Sequence, residues 1–261
     1  MNYQFYPSDL TDTQWQSIKE LIPAAKPGGR PRSLNMRLVV NAIFYVVVGA
    51  IEWRMLPREY PKWPRVYAYF ASWRHDGTWQ RIHDIVRAHV RRRAGRHKHA
   101  TAGCLASQTV KRAARPGPRG FDAGKQCRGR KRHVLVDTLG LLLVVVVTAA
   151  SVQDRDGARL VLGCRRGAWK TVRRVWVDGA YRGQLLDWGW SHARRTLHVV
   201  RRPDAQRGFV VLSRRWVIER TFAWRGQARR LSKAYEQLPR RSEAVIYMTM
   251  IRLMLRRLAR T

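Results

Sequence analysis

The first third of the chain carries its hydrophobic positions at helical spacing. A capping-box pattern at residues 11–14 opens a short amphipathic helix that ends near Pro23. Further helical patterns cover residues 35–54, 63–73 and 78–93. The pattern therefore predicts an all-helical segment. Its last two helices are compatible with a helix-turn-helix DNA-binding unit and equally with a plain helical bundle.

From residue 100 onward the hydrophobic pattern becomes strand-like. Short β-rich segments occur at residues 101–105, 133–137, 141–149, 172–177 and 197–200. The second and third of them are close enough across Leu139-Gly140 to form an antiparallel hairpin. Helices are expected at residues 155–162, 183–192, 213–230 and 243–260, the last of them amphipathic. Strands that first precede and then alternate with helices predict an α/β layer architecture.

A basic stretch poor in apolar residues follows Arg91, and it separates the helical part from the mixed part. We therefore predict a helical domain over residues 1–95 and an α/β domain over residues 96–261.

The charge balance says more about the binding partner than the rest of the composition does. The 261 residues include 52 Lys and Arg but only 17 Asp and Glu, a formal net charge of +35, and most of the excess lies after residue 95. Apolar residues make up 45% of the chain, which is enough for a buried core. The charge far exceeds what solubility requires and is atypical of enzymes that act on small metabolites. It predicts a polyanionic partner such as a nucleic acid.

The remaining composition favours a reducing, aqueous compartment. The three cysteines are far apart without a CxxC pair, so the sequence indicates neither a disulfide framework nor a zinc site. The apolar runs at residues 38–51 and 141–150 are too short to span a membrane, and the polar N-terminus lacks a signal-peptide pattern. We expect a cytoplasmic protein without membrane contact.

Two carboxylates stand out in so basic a chain. Asp178 closes an apolar strand before Gly179, so it is predicted to project at the mouth of the sheet, where α/β sites form. Glu219 lies at the margin of an aromatic-rich helical segment. Carboxylates that converge from separate elements can hold Mg²⁺ for phosphoryl transfer. Taken singly, Asp178 is more typical of a turn cap and Glu219 of a surface ion pair.

Several longer motifs, in fixed order, resemble the DDE-type transposases of insertion sequences, specifically the insertion-sequence-five group, related to the insertion-sequence-four superfamily. The motifs are Gly120-Phe-Asp-Ala-Gly-Lys125, residues 129–140, Val177-Asp-Gly-Ala-Tyr-Arg-Gly183, residues 215–224 and Arg229-Arg-Leu-Ser-Lys233. Residues 6–11 and Trp53-Arg-Met-Leu-Pro57 resemble the helical N-terminal domain of that group. The resemblance covers nearly the whole chain.

The resemblance implies a ribonuclease-H-like mixed sheet flanked by helices, with an Asp-Asp-Glu triad that binds Mg²⁺ or Mn²⁺. It implies double-stranded DNA as partner, recognised at terminal inverted repeats and at target sites, and a homodimer or larger complex on the nucleoid. Carried over by position, Asp178 is the second acid and Glu219 the third, both of them metal ligands. The first acid is lost, because Ala106 stands where family members have Asp. A related signature is matched by Arg215 and Glu219, but its Tyr and Lys positions hold Leu212 and Gly226.

We therefore expect a transposase whose DNA cutting and joining is impaired. The alternative is a non-catalytic relic that occupies inverted repeats or inhibits active copies. Asp122 or Asp137 replacing the first acid stays open as a less favoured interpretation. Trp224 is interpreted as a core residue in preference to a platform for an unpaired base. The predicted DNA-binding residues are Lys125, Arg128, Arg130, Lys131, Arg132, Arg215 and Arg220.

Overall fold

The N-terminal part is helical, as its hydrophobic spacing predicts. In this computed structural model, the described residues are 4–25, 28, 31–113, 116–164, 169–200, 216–226 and 228–259. The predicted capping box is confirmed: the Gln14 amide donates to Thr11 Oγ1 and the Thr11 amide donates to Gln14 Oε1, both at 3.2 Å. Four helices follow in order: α1 (Asp12–Gln16), α2 (Met36–Gly49), α3 (Trp63–His75) and α4 (Thr78–Arg93).

Helices α3 and α4 meet across a tight turn at Gly77, whose φ of +78° is the left-handed conformation that glycine adopts at little cost. Helix α4 buries Trp79, Ile82 and Val86 and packs against the C-terminal helix α8 (Pro239–Ala259). The helix pair is therefore part of the core of the molecule, and its predicted helix-turn-helix role stays a prediction.

A six-stranded mixed sheet forms the centre of the molecule. Its strands are β1 (Ala102–Lys111), β2 (Gly120–Asp122), β3 (Cys127–Asp137), β4 (Leu142–Ala149), β5 (Arg174–Val177) and β6 (Thr196–Val199). Strand β3 pairs antiparallel with β1 on one side and with β4 and β2 on the other, which confirms the predicted hairpin across Leu139-Gly140. Strands β5 and β6 extend the sheet from β1 in parallel. The chain thus forms three long antiparallel strands followed by two short parallel ones.

Strands β1 and β3 are longer than their sequence pattern predicts. The prediction for β1 ended at Leu105, but the strand continues through polar residues to Lys111. Strand β3 begins six residues before the predicted start at His133 and includes a run of cations. The short strand β2 was not predicted. Polar residues are tolerated in these strands because their side chains find partners on the helices and loops that cover both faces.

Helices cover both faces of the sheet. Helices α5 (Asp154–Leu162) and α6 (Leu185–Ser191) enclose one core with Leu105, Leu135 and Val175. Helix α7 (Trp216–Gly226), α8 and the N-terminal helices enclose the other with Cys104, Val134 and Ile251. Helix α7 lies within the predicted helix at 213–230, whose residues 213–215 are outside the described part.

The second core is continuous from the N-terminal helices to α8, since it includes Leu10 and Phe44 together with Val134 and Met250. The domain boundary near residue 95 stays a prediction; α4 ends just before it, at Arg93. No helix formed by the described residues combines the length and hydropathy that a membrane span requires.

Candidate active site

The register of the parallel strands brings the first two predicted acid positions side by side. Strand β1 pairs with β5 through Cys104 and Trp176, and continuing that register by two residues sets Ala106 beside Asp178. Side chains alternate along a strand, so Ala106 and Asp178 lie on the same face as Cys104 and Trp176. That face is the one covered by α7, because Ala106 and Trp176 both pack against the core that contains Val217 and Ile218.

Asp178 lies where β5 ends and a short helical turn, Gly179–Tyr181, begins. The Ala180 amide donates to Asp178 Oδ1 at 2.9 Å, so the carboxylate caps this turn. Asp178 is half-buried. Asp178 therefore makes the turn-capping contact predicted as one alternative. It also lies at the end of a strand, where the metal-ligand hypothesis requires it.

Glu219 comes to the same region on helix α7, which packs against β1. Val217, Ile218 and Thr221 are buried, whereas Glu219 is exposed. Phe222 lies one turn after Glu219 on the same side of the helix and packs against the same core as Ala106. Ala106, which the resemblance assigns to the first acid, thus lies on the strand that contacts both β5 and the helix bearing Glu219.

The turn between β3 and β4 supports helix α7. Gly140 has a φ of +79°, and a Cβ there would lie 2.7 Å from Thr221 Oγ1 and 3.0 Å from the Trp224 ring. Thr221 Oγ1 donates to the Gly140 carbonyl at 2.9 Å. The close approach of turn and helix depends on the missing side chain.

Asp137, one of the two acids considered as replacements for the first acid, is fully used within the fold. Its side chain is 0% exposed, forms an ion pair with Arg91, and accepts the amides of Leu139 and Leu141 at 2.9 Å each. A carboxylate with these partners shapes the turn and is not exposed to a substrate.

Asp122, the other acid, lies on the opposite face of the sheet from Ala106. Thr109, an odd number of residues from Ala106 along β1, donates to Asp122 Oδ2 at 2.5 Å, and Lys131 Nζ lies 3.3 Å from the same oxygen. Burial raises the pKa of Asp122, but the hydrogen bonds from Thr109 and Lys131 outweigh it and lower this pKa below its usual value. The structure argues against Asp122 as the missing ligand.

The residues present do not fit a two-ion magnesium site. The Ala106 methyl group offers no oxygen, and a hard dication prefers carboxylates and water. Over the described ranges, no group of three or more His, Cys, Asp and Glu side chains is placed to hold a metal ion. Of the three acid positions that the resemblance implies, two hold acids and the third holds Ala106, so we assign no reaction step to a metal.

The cation cluster predicted to bind DNA divides into buried and exposed members. Lys125 is exposed in the turn between β2 and β3, and Arg128 is exposed near the start of β3. Arg130, Lys131 and Arg132 are buried, and strand alternation directs Lys131 away from its two neighbours.

The buried members have partners within the chain. Lys131 Nζ lies 3.0 Å from Asp154 Oδ1 as well as near Asp122. Arg130 donates to the Glu236 carbonyl at 2.6 Å, and Arg132 donates to the Leu231 carbonyl at 2.8 Å. Burial lowers the pKa of Arg132 to about 10. DNA contact therefore stays a prediction that suits Lys125 and Arg128 better than the three buried cations.

Arginines and tryptophans alternate in space where α7 meets α8. The Arg220 guanidinium lies 4.1 Å from the Trp216 ring centroid and 4.5 Å from that of Trp224, and Arg257 lies 4.1 Å from Trp224. Trp216 is 41% exposed and Trp224 is half-buried. Such a layered cation–π arrangement presents positive charge at the surface near Glu219. Arg215 lies outside the described residues.

Comparison with known proteins identifies two adjacent families along the chain. Residues 10–83 match a family model described as a transposase of the IS4/5 family, and residues 86–254 match the transposase DDE domain. The second match covers more than half of the chain. No curated protein and no solved structure matches the chain significantly. With the mixed sheet flanked by helices, the second match identifies the fold class as ribonuclease-H-like.

Proposed function

Because the chain belongs to the IS4/5-type transposases with a DDE domain, we propose that it binds the terminal inverted repeats of an insertion sequence and that its DNA cutting and joining is impaired. The family's enzymes cut and join DNA. The observation that supports the proposed impairment is the register of β1 and β5, which pairs Cys104 with Trp176 and, continued by two residues, would set Ala106 beside Asp178.

The impairment follows from the chemistry of that position. Asp178 and Glu219 would hold divalent metal ions together with an acid at position 106, whereas the methyl group of Ala106 removes both a ligand and a negative charge that would help to hold them. Losing an electrostatic element of this kind costs several kcal/mol of transition-state stabilisation, and each 1.36 kcal/mol is tenfold in rate. We therefore expect strand cleavage to be slower by about two orders of magnitude or more.

DNA binding does not depend on the triad. Contacts from Lys and Arg to phosphates supply most of the affinity of proteins for duplex DNA. Such contacts are supported by the net charge of +35, by the exposed Lys125 and Arg128, and by Arg220 with its stacked tryptophans. Binding without efficient cleavage also supports the alternative that the protein occupies inverted repeats and competes with active copies.

The test restores the acid. An end-labelled duplex carrying the element's terminal inverted repeat is incubated with wild-type protein, Ala106→Asp or Ala106→Asn, in Mg²⁺ or Mn²⁺. We expect all three to bind the duplex with similar affinity, and Ala106→Asp alone to nick it at least about 100-fold faster than wild type. Ala106→Asn is the matched control, since it adds similar volume without the charge.

Equal nicking by wild type and Ala106→Asp would refute the proposed impairment. Binding by all three without cleavage by any would favour the non-catalytic relic.

A further inference from the structure

A cavity of about 570 Å³ lies between the N-terminal helices and the chain that leads into α8, and it contains none of the three acid positions. Four aromatic side chains and two arginines define its character: Trp53, Trp63, Tyr67, Tyr235, Arg54 and Arg241. Trp53 and Arg54 belong to the Trp53-Arg-Met-Leu-Pro57 motif, for which the proposed function gives no role. The volume is within the range of small-molecule sites.

Two buried arginines fix the walls of this cavity. Arg230 donates from Nε to Glu236 Oε1 at 2.7 Å and from Nη1 to the Ile51 carbonyl at 2.6 Å, which joins one wall to the other. Arg130, which is 0% exposed, donates to the Glu236 carbonyl at 2.6 Å. Because these bonds hold the walls in place, the cavity is preformed. Binding of a ligand would not have to meet the entropic cost of ordering the walls.

The cavity presents aromatic rings and positive charge together. The Arg54 guanidinium lies 5.7 Å from the Trp63 ring centroid, and that of Arg241 lies 5.9 Å from the Tyr67 centroid. Arg241 Nε is buried and has no hydrogen-bond partner within the described residues. Of the two acids that line the cavity, Glu236 is paired with Arg230 and Glu52 is exposed at the rim.

We propose that this cavity binds one unstacked nucleotide of the bound DNA, with the base against the aromatic rings and the phosphate near Arg54 and Arg241. Every base has a flat face that stacks on aromatic side chains, and arginines attract the adjoining phosphate. A cationic ligand would meet the same arginines and be repelled. The proposal rests on the proposed DNA binding and adds a site where a distorted strand is held.

The experiment compares three 30-base-pair probes of one sequence at fixed salt: fully paired, with one extra unpaired thymidine, and with an abasic residue in place of that thymidine. Stacking of one base contributes about fivefold or more to affinity. We expect wild-type protein to bind the thymidine-bulged duplex at least about fivefold tighter than the other two.

Variants locate the effect. Trp63 is partly exposed at the first position of α3 and Arg54 is exposed, so Trp63→Ala and Arg54→Ala remove little of the core. We expect Trp63→Ala to abolish the preference for the bulged probe and Arg54→Ala to reduce it, with affinity for the paired duplex nearly unchanged. Trp190→Ala is the matched control, because Trp190 is 62% exposed on α6, outside the cavity. It should retain the full preference.

Several results would overturn the inference. Equal binding of all three probes by wild type would do so while leaving the proposed function intact, since the paired duplex is still bound. A bulge preference that survives both Trp63→Ala and Arg54→Ala would place the nucleotide elsewhere. Binding of free deoxyadenosine monophosphate without any bulge preference would identify a site for free nucleotides. Failure to bind any duplex would overturn both proposals.

Discussion

Replacing Asp137 by alanine tests a fully buried carboxylate that serves three donors. Asp137 is 0% exposed, and its two oxygens serve Arg91 and the amides of Leu139 and Leu141. The change leaves the buried Arg91 guanidinium without its counter-charge and two amides without their acceptor. Breaking a buried ion pair by removing one partner costs about 3–5 kcal/mol. The turn that supports α7 loses its two side-chain bonds at the same time and keeps its backbone bonds between Asp137 and Leu141 and between Gly140 and Asp137.

The free energy of unfolding is measured by urea denaturation, followed by tryptophan fluorescence and by circular dichroism. We expect Asp137→Ala to lower it by about 3–5 kcal/mol with an unchanged denaturant slope. Asp137→Asn should lose less, because its amide oxygen can still accept from Leu139 and Leu141.

The matched control is Asp156→Ala. Asp156 pairs with Arg159 at 3.3 Å, but the two side chains are 56% and 40% exposed. An exposed pair of this kind contributes about 0–1 kcal/mol. If Asp137→Ala costs no more than Asp156→Ala, the assignment of Asp137 as the structural centre of the turn is wrong.

Three further predictions concern the α7 turn, pH and salt. Gly140→Ala should destabilise the protein by about 1–3 kcal/mol, because the added Cβ is strained at a positive φ and overpacks against α7. Gly95→Ala is the control and should cost clearly less, since its added Cβ meets open space at a similar positive φ. The two variants are compared by their urea unfolding midpoints. Burial lowers the pKa of His133 to about 4, below its unfolded value of about 6.5, so the unfolded state takes up the proton first as pH falls. Stability is then lost between pH 6.5 and 4, by up to about 3 kcal/mol, and His133→Asn should flatten unfolding curves over that window; an unchanged slope would contradict the assignment. Replacing Lys125 and Arg128 together by alanine should reduce the slope of log affinity for duplex DNA against log salt by about 2, and an unchanged slope would exclude them from the DNA path.

Helix α4 shows what local pattern is able to predict. Its predicted and observed bounds agree at 78 and 93, because an amphipathic stripe begins directly after the Asp76-Gly77 break. The β3–β4 hairpin was predicted for a similar reason, since two apolar runs flank a short Gly-containing turn. Both elements are specified by residues that are neighbours in sequence.

The cations of β3 show where local pattern fails. Three consecutive basic residues read as an exposed surface, yet Arg130 and Arg132 are buried by carbonyls about 100 residues away, at Glu236 and Leu231. The residues near Arg130 and Arg132 in sequence give no indication of these acceptor carbonyls. A partial signal is the apolar run that follows in the same strand, since near-continuous apolar runs are typical of strands covered on both faces.

The candidate site was predictable only in part from the residues themselves. Asp178 follows from the end of an apolar strand before glycine, but the place of Ala106 depends on β1 continuing into polar residues and pairing with β5. The resemblance supplied that position, since an alanine in a strand carries no chemical signal of its own. The aromatic cavity was missed because its walls come from segments more than 150 residues apart, joined by Arg230 and Ile51.

Stability and catalysis make opposite demands at Ala106. The alanine is half-buried and packs with Trp176 and Phe222 against an apolar core, where its methyl group needs no partner. A carboxylate at the same place would be partly desolvated beside Asp178, and in the absence of a cation that costs free energy. The fold therefore gives no support to an acid at position 106, whereas alanine leaves the sheet intact and avoids repulsion between two neighbouring carboxylates.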